Sequence, residues 1–182
     1  GLQFALAAIK HHTHVVMMNC EADVIFGPYL LAKADRAGVV YTSADGDQHT
    51  VLKRLINDIE LWGFKTVLAG NMKGYLDRTS NPTAIIPEAD KRFMDYKMCT
   101  SYTDGTKLNI EMALIANAIG GKAVVPGMLG PNVEDIYDVF NYLTSPLCGM
   151  EMSPLLIMSL EQNHLGVSSL SVSIIIRTRL KL

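Results

Sequence analysis

The sequence predicts an α/β fold, and two observations carry that prediction. Helical and strand patterns alternate through the first 69 residues, the signature of a parallel sheet with crossover connections. Hydrophobic residues make up 49% and charged residues 19%, the balance of a globular chain rather than a disordered or membrane-spanning one. At 182 residues the chain is long enough for one compact domain or for parts of two.

Each element has its own signal. Residues 2–11 read as an amphipathic helix already under way at the first residue, which leads us to expect a truncated start rather than a signal peptide. A strand is expected at His14–Met18 and a loop at Asn19–Gly27. Pro28 suits the first turn of a helix running to about Ala37, with Gly38 as its stop. A second strand, Val39–Ser43, ends in the polar turn ADGDQ. Leu52, Leu55, Ile56 and Ile59 recur at helical spacing, so a helix is expected over 48–61, closed by Gly63. Phe64–Ala69 reads as a third strand. A long Gly-, Asn- and Pro-rich loop is expected at Gly70–Asp90, and loops of that length usually carry function. Helices are expected at 105–119 and Asn132–Leu143, with a short strand at Lys122–Val125 between them. The tail from about Ser145 has no clear period until SVSIIIRTRLKL, which reads as a strand or as sequence belonging to no native fold.

Charge and cysteine usage narrow the function classes. The formal net charge is -2 with no basic block, which argues against nucleic acid or an anionic membrane as partner. Cys20, Cys99 and Cys148 have neither metal-like nor disulfide-like spacing, and their odd number suits a reducing cytoplasm. No apolar run reaches the ~18 residues of a spanning helix. His11, His12 and His14 straddle a helix end and a strand start, so a helix-terminal role is the better reading than a metal cluster. The phosphate-binding, zinc-protease and nucleophile-elbow signatures are absent.

Four constellations carry chemistry. Asn19, Glu21 and Asp23 follow a strand end, where ligands sit in open α/β sheets. Asn19 could hydrogen-bond a nicotinamide amide or ribose and Glu21 substrate hydroxyls; the bland reading is a turn. Asp45, Asp47 and Gln48 could form an acid/base or metal pair with a substrate donor, although Asp and Gly suit any tight turn. In AGNMKGYLD, Gly70 and Gly74 would allow close backbone approach, and Lys73 could hold an anion or polarise a carbonyl. In SYTDGTKLNIEMALIAN, Asp104, Lys107 and Glu111 fall on one helical face, with Asp104 as helix cap. A lysine flanked by carboxylates could donate a proton to a developing alkoxide. The bland reading is a capped helix with a solvent salt bridge.

The order of these pieces is similar to homoserine dehydrogenases. More closely, the segments NCEADVIFGPYL, YTSADGDQ, AGNMKGYLDRTSNPT, MCTSYTDGTKLNIEMALIANA and PGMLGPN resemble the homoserine-dehydrogenase-like oxidoreductases that often carry a SAF domain. One branch of that group comprises the deoxyxylulose-phosphate-reductoisomerase-like enzymes. The resemblance covers roughly residues 1–143. It implies the C-terminal part of a Rossmann domain (1–43) and most of an α+β catalytic and dimerisation domain (44–143), and it assigns no structure to the tail (144–182). The glycine-rich turn of such a domain is missing, so the chain is expected to be a fragment of an NAD(P)-dependent oxidoreductase that is inactive in isolation, and a dimerisation or regulatory piece without activity is the contrasting reading. The family's Ala-Asn-Lys triplet has Cys20 in place of its lysine, so that role is not carried over. The implied chemistry is hydride transfer between NADP or NAD and a small alcohol or carbonyl substrate, with a divalent metal in the reductoisomerase branch. The implied catalytic residues are Lys107, Asp104 and Glu111. Lys73, Asp45, Asp47, Gln48 and Glu21 would bind substrate, and Asn19, Gly70 and Asn71 the cofactor. A homo-oligomer is expected.

Overall fold

The computed structural model describes residues 1–66, 68–73, 76–123, 132–133, 156–162, 173–175 and 178–180. The first unit runs α1 (Leu2–Lys10), β1 (Val15–Met17), α2 (Cys20–Ala37) and β2 (Tyr41–Ser43). β1 and β2 pair in parallel, Val15 opposite Tyr41 and Met17 opposite Ser43, with α2 as the crossover that parallel strands require. Alternation along β1 sends Val15 and Met17 inward, onto Ile9 of α1 and Leu30 and Ala34 of α2. His11 ends α1, while His12 Nδ1 meets the Ala37 carbonyl and His14 Nδ1 accepts from the Val40 amide. These histidines therefore tie α1 and β1 to the end of α2 and do not converge.

α2 starts eight residues before the expected Pro28. Asn19 supplies the cap, its side chain accepting from the Ala22 amide, and Glu21 and Asp23 favour the positive end of the helix dipole. Pro28 sits inside the helix. Its locked φ is helical, and Gly27 before it has no Cβ to clash with the ring, so the cost is one backbone hydrogen bond. Gly38 ends α2 in the left-handed region, as expected.

The second unit is built on α3 (Gln48–Leu61) and α6 (Thr106–Ile119), joined through α4 (Ile86–Lys91) and α5 (Tyr96–Thr103). Leu52 and Ile56 of α3 pack with Leu108, Met112 and Ile115 of α6 and Ala69 beneath them. The expected third strand is two strands, β3 (Phe64–Thr66) and β4 (Leu68–Lys73), and neither pairs with β1 or β2. β3 pairs antiparallel with β9 (Thr178–Leu180). β4 lies between β7 (Leu156–Gln162), which is parallel to it, and β8 (Ser173–Ile175), which is antiparallel. β5 (Lys122–Ala123) and β6 (Asn132–Val133) pair with β7.

Several sequence expectations change here. Gly70, Asn71 and Lys73 belong to β4, not to a loop, because ladders on both sides outweigh the poor strand propensity of Gly and Asn. The expected loop also holds α4. Asn132 and Val133 form a strand where a helix was expected, again through pairing with β7; residues 134–143 lie outside the described residues. The strand reading of SVSIIIRTRLKL fits β8 and β9. The described residues form an arrangement compatible with α/β, with more helix than sheet. Among the described residues no helix is long and apolar enough to cross a membrane.

Candidate functional site

The C-terminal ends of β1 and β2 lead directly into the N-termini of α2 and α3, and α6 packs against both helices. Side chains from α2, α5 and α6 meet around Lys107. Its Nζ lies 3.7 Å from Cys20 Sγ, to which it donates, 3.9 Å from Glu111 Oε1 and 4.0 Å from Glu21 Oε1. The ring of Tyr102, in α5, lies 5.3 Å from the ammonium, within cation–π range. Glu111 is fully buried, one turn beyond Lys107. The expected solvent salt bridge is therefore a largely buried one, with 20% of the Lys107 side chain exposed.

The electrostatics keep Lys107 protonated. Burial pulls its pKa down, but the interactions with Cys20, Glu111, Glu21 and Tyr102 outweigh it and the net shift is upward. Burial pushes the Cys20 thiol up to about 11 against the pull of Lys107, with Glu21, Glu111 and Asp47 adding to the rise. The thiol is thus neutral at ordinary pH and acts as a soft acceptor, not as a nucleophile.

A second network sits beside the first. Asp23 accepts from the Tyr41 hydroxyl at 2.7 Å and from the Ser43 hydroxyl at 3.1 Å, joining α2 to β2. Burial and this hydrogen bond to Asp23 both raise the Tyr41 pKa, so the phenol stays protonated. Gly27 makes room for the arrangement, since a Cβ there would stand 2.7 Å from Asp23 Oδ1. Gly27→Ala should therefore displace the Asp23 carboxylate from Tyr41. Tyrosine absorbance titration checks this: the Tyr41 phenol should ionise at lower pH in the variant than in the parent.

Asp47 caps α3, accepting from the Gln48 amide, and Gln48 Oε1 accepts from Asn71 Nδ2 at 3.1 Å, which links α3 to β4. Asn71 is buried, and its Oδ1 has no hydrogen-bond partner among the described residues.

The structure thus gathers Lys107, Glu111 and Glu21 at one point, with Asp47, Gln48 and Asn71 at the head of the neighbouring helix. Other expected site residues stand apart from that point. Asp104 ends α5 and accepts from the Thr106 amide, while Gly105, with φ 87°, caps α6. Both oxygens of Asp45 accept from Arg54 on the surface. Asn19 spends its amide oxygen on the Ala22 cap and one amide hydrogen on Glu21 Oε2. The Lys73 side chain lies outside the described residues. Among the described residues no three His, Cys, Asp or Glu side chains come together as a metal site.

Sequence reasoning missed Cys20, Tyr41, Ser43, His49 and Tyr102. One signal was available for His49: it precedes Leu52 and Ile56 at i, i+3, i+7, on the buried face of α3. Tyr41 and Ser43 share one face of β2 by strand alternation. Cys20 carries no such signal.

Residues 46–146 match the family model described as oxidoreductase DRL, catalytic domain. No curated protein matches the chain.

Proposed function

The chain belongs to the DRL oxidoreductase family through its catalytic domain, and from that premise we propose that the site around Lys107 serves nicotinamide-dependent hydride transfer on a small alcohol or carbonyl substrate. The observation that carries this reading is the Lys107 ammonium, kept charged by Glu111 and Glu21 at the first turn of α2, where that helix packs on α6. A fixed cation there contacts the substrate oxygen, which gains negative charge as the reaction proceeds, and stabilises it more in the transition state than in the ground state. Glu111 orients the ammonium from beneath, and Glu21, which is more exposed, is placed to hydrogen-bond substrate hydroxyls.

NADP or NAD would supply or accept the hydride when bound. Asn71 Oδ1, buried and without a protein partner among the described residues, fits a carboxamide N–H of such a ring. Two features support reading 1–43 as the end of a nucleotide-binding domain and 44–143 as catalytic. Among the described residues one apolar cluster runs from Ala5 to Val39 and the others lie from Leu52 onward, and the family match begins at residue 46.

Deuterium transfer tests the proposal. NADPH labelled with deuterium at the nicotinamide C4 is incubated with the protein joined to a complete nucleotide-binding domain and a panel of small carbonyl compounds, deoxyxylulose phosphate included. Homoserine with oxidised cofactor probes the reverse direction. Mass spectrometry should find deuterium on carbon in one reduced product. If no carbonyl takes up label and homoserine is not oxidised, the proposed function is wrong.

A further inference from the structure

His49 lies in the first turn of α3 with 7% of its surface exposed, and neither ring nitrogen has a hydrogen-bond partner among the described residues. A buried imidazole with both nitrogens orphaned is costly, and native proteins retain few such groups. Its nearest charged neighbour is Asp47, with Nδ1 to Oδ2 at 3.8 Å, inside ion-pair range but beyond hydrogen-bond reach. The other Asp47 oxygen accepts from the Gln48 amide and so caps the helix. One carboxylate therefore faces the ring with one oxygen and closes α3 with the other.

We propose that His49 and Asp47 form an acid-operated latch on the first turn of α3, shut while the imidazole is neutral and released when it takes up a proton.

The surroundings decide which way the latch moves. Charged groups act on the ring from three elements: Asp47 at the head of α3, Asp23 in α2 and Lys107 in α6. β3 and β8 also pack on α3; β3 carries Lys65, and β8 has no ionisable residue. Asp47 and Asp23 would welcome an imidazolium. Burial opposes it most strongly, Lys107 adds to that opposition, and the net effect holds the His49 pKa below its usual 6.5. The positive end of the α3 dipole acts in the same direction as Lys107. A protonated ring is thus poorly housed where it stands. It draws the Asp47 carboxylate off the Gln48 amide, or it turns out to water, and either movement frees the first turn. Gln48 then loosens its hold on Asn71 of β4, and the head of the helix that packs on α6 becomes mobile.

The linkage sign follows from the lowered pKa. The unfolded chain takes up the His49 proton first, so stability falls as pH drops below about 6.5 and levels off below the folded-state pKa. Local opening follows the same course, because the opened turn binds the proton more tightly than the closed one.

Hydrogen exchange on the full chain, corrected for intrinsic rates, reads the latch. The amides of Gln48–Leu52 should keep their protection down to about pH 6.5, then lose up to about tenfold per pH unit until the folded-state pKa is reached, as a one-proton linkage requires. His49→Gln should abolish that pH dependence. Asp47→Asn, which keeps a competent cap but removes the anion, should move the loss to lower pH. Protection that is independent of pH, or that falls equally in His49→Gln, overturns the latch. Should His49→Gln fail to fold, ring 15N titration of the wild-type protein decides. Proton uptake coincident with loss of protection supports the proposal, and uptake without it overturns the proposal. These readouts need no substrate or cofactor, so the latch stands or falls separately from the proposed function.

Discussion

Lys107→Met is expected to lose both stability and turnover, and the double variant Lys107→Met/Glu111→Leu to recover only the stability. The reason is the depth of Glu111, which is fully buried 3.9 Å from the Lys107 ammonium. Removing one partner of a buried ion pair costs about 3–5 kcal/mol, because the charge left behind has lost a compensating partner. The low end of that range applies, since the Lys107 side chain keeps 20% exposure and the pair is loosely spaced. Replacing both partners with apolar side chains removes the penalty and can even stabilise. Catalysis follows a different logic. A proton donor or fixed cation at the reacting oxygen contributes about 10²–10⁴-fold, and its loss belongs in kcat rather than KM. Denaturant melts of the two single variants and the double variant, read as a cycle, measure the coupling. Equal instability of the single and double variants would show that Glu111 does not depend on Lys107.

Leu52→Ala should destabilise by about 2–5 kcal/mol, the range for truncating a buried leucine that leaves a cavity. Leu52 has no exposed surface and sits where α3 meets α6 over Ala69, together with Leu108, Met112 and Ile115. Helices on both sides hold the site, so the cavity cannot close without moving α3 relative to Lys107. The midpoint of urea unfolding should fall at unchanged slope. A loss below 1 kcal/mol would mean that the two helices collapse freely and that this core does not fix the site's geometry.

How far the sequence revealed all this depends on the kind of force involved. α1, α3 and α6 were legible because their apolar faces repeat at helical spacing and their ends carry capping signals. The start of α2 was not, because Gly27-Pro28 reads as a boundary when local sequence is considered alone, while the Asn19 cap and acidic first turn sustain the helix through it. β4 was cut short at Gly70 for a similar reason. Its extension depends on β7 and β8, which lie more than 80 residues away along the chain, and no local propensity encodes that pairing. In the site, Lys107 and Glu111 were legible as an i, i+4 pair, though their burial was not. Asp104 shared that spacing but turns to the Thr106 amide, since Gly105 breaks the helix between it and Lys107. Cys20 came to light only with the fold, because the contact to Lys107 spans α2 and α6 and its chemistry has no sequence signature.

The central claim is that the Lys107 ammonium stabilises the reacting oxygen of a nicotinamide-dependent reaction. Steady-state kinetics of Lys107→Met/Glu111→Leu, in whichever reaction shows deuterium transfer, tests it most directly, because that variant separates chemistry from folding. The account predicts a protein that melts like the parent, with kcat lowered by about 10²–10⁴-fold and KM changed far less. A folded double variant that turns over at the parent rate would contradict it.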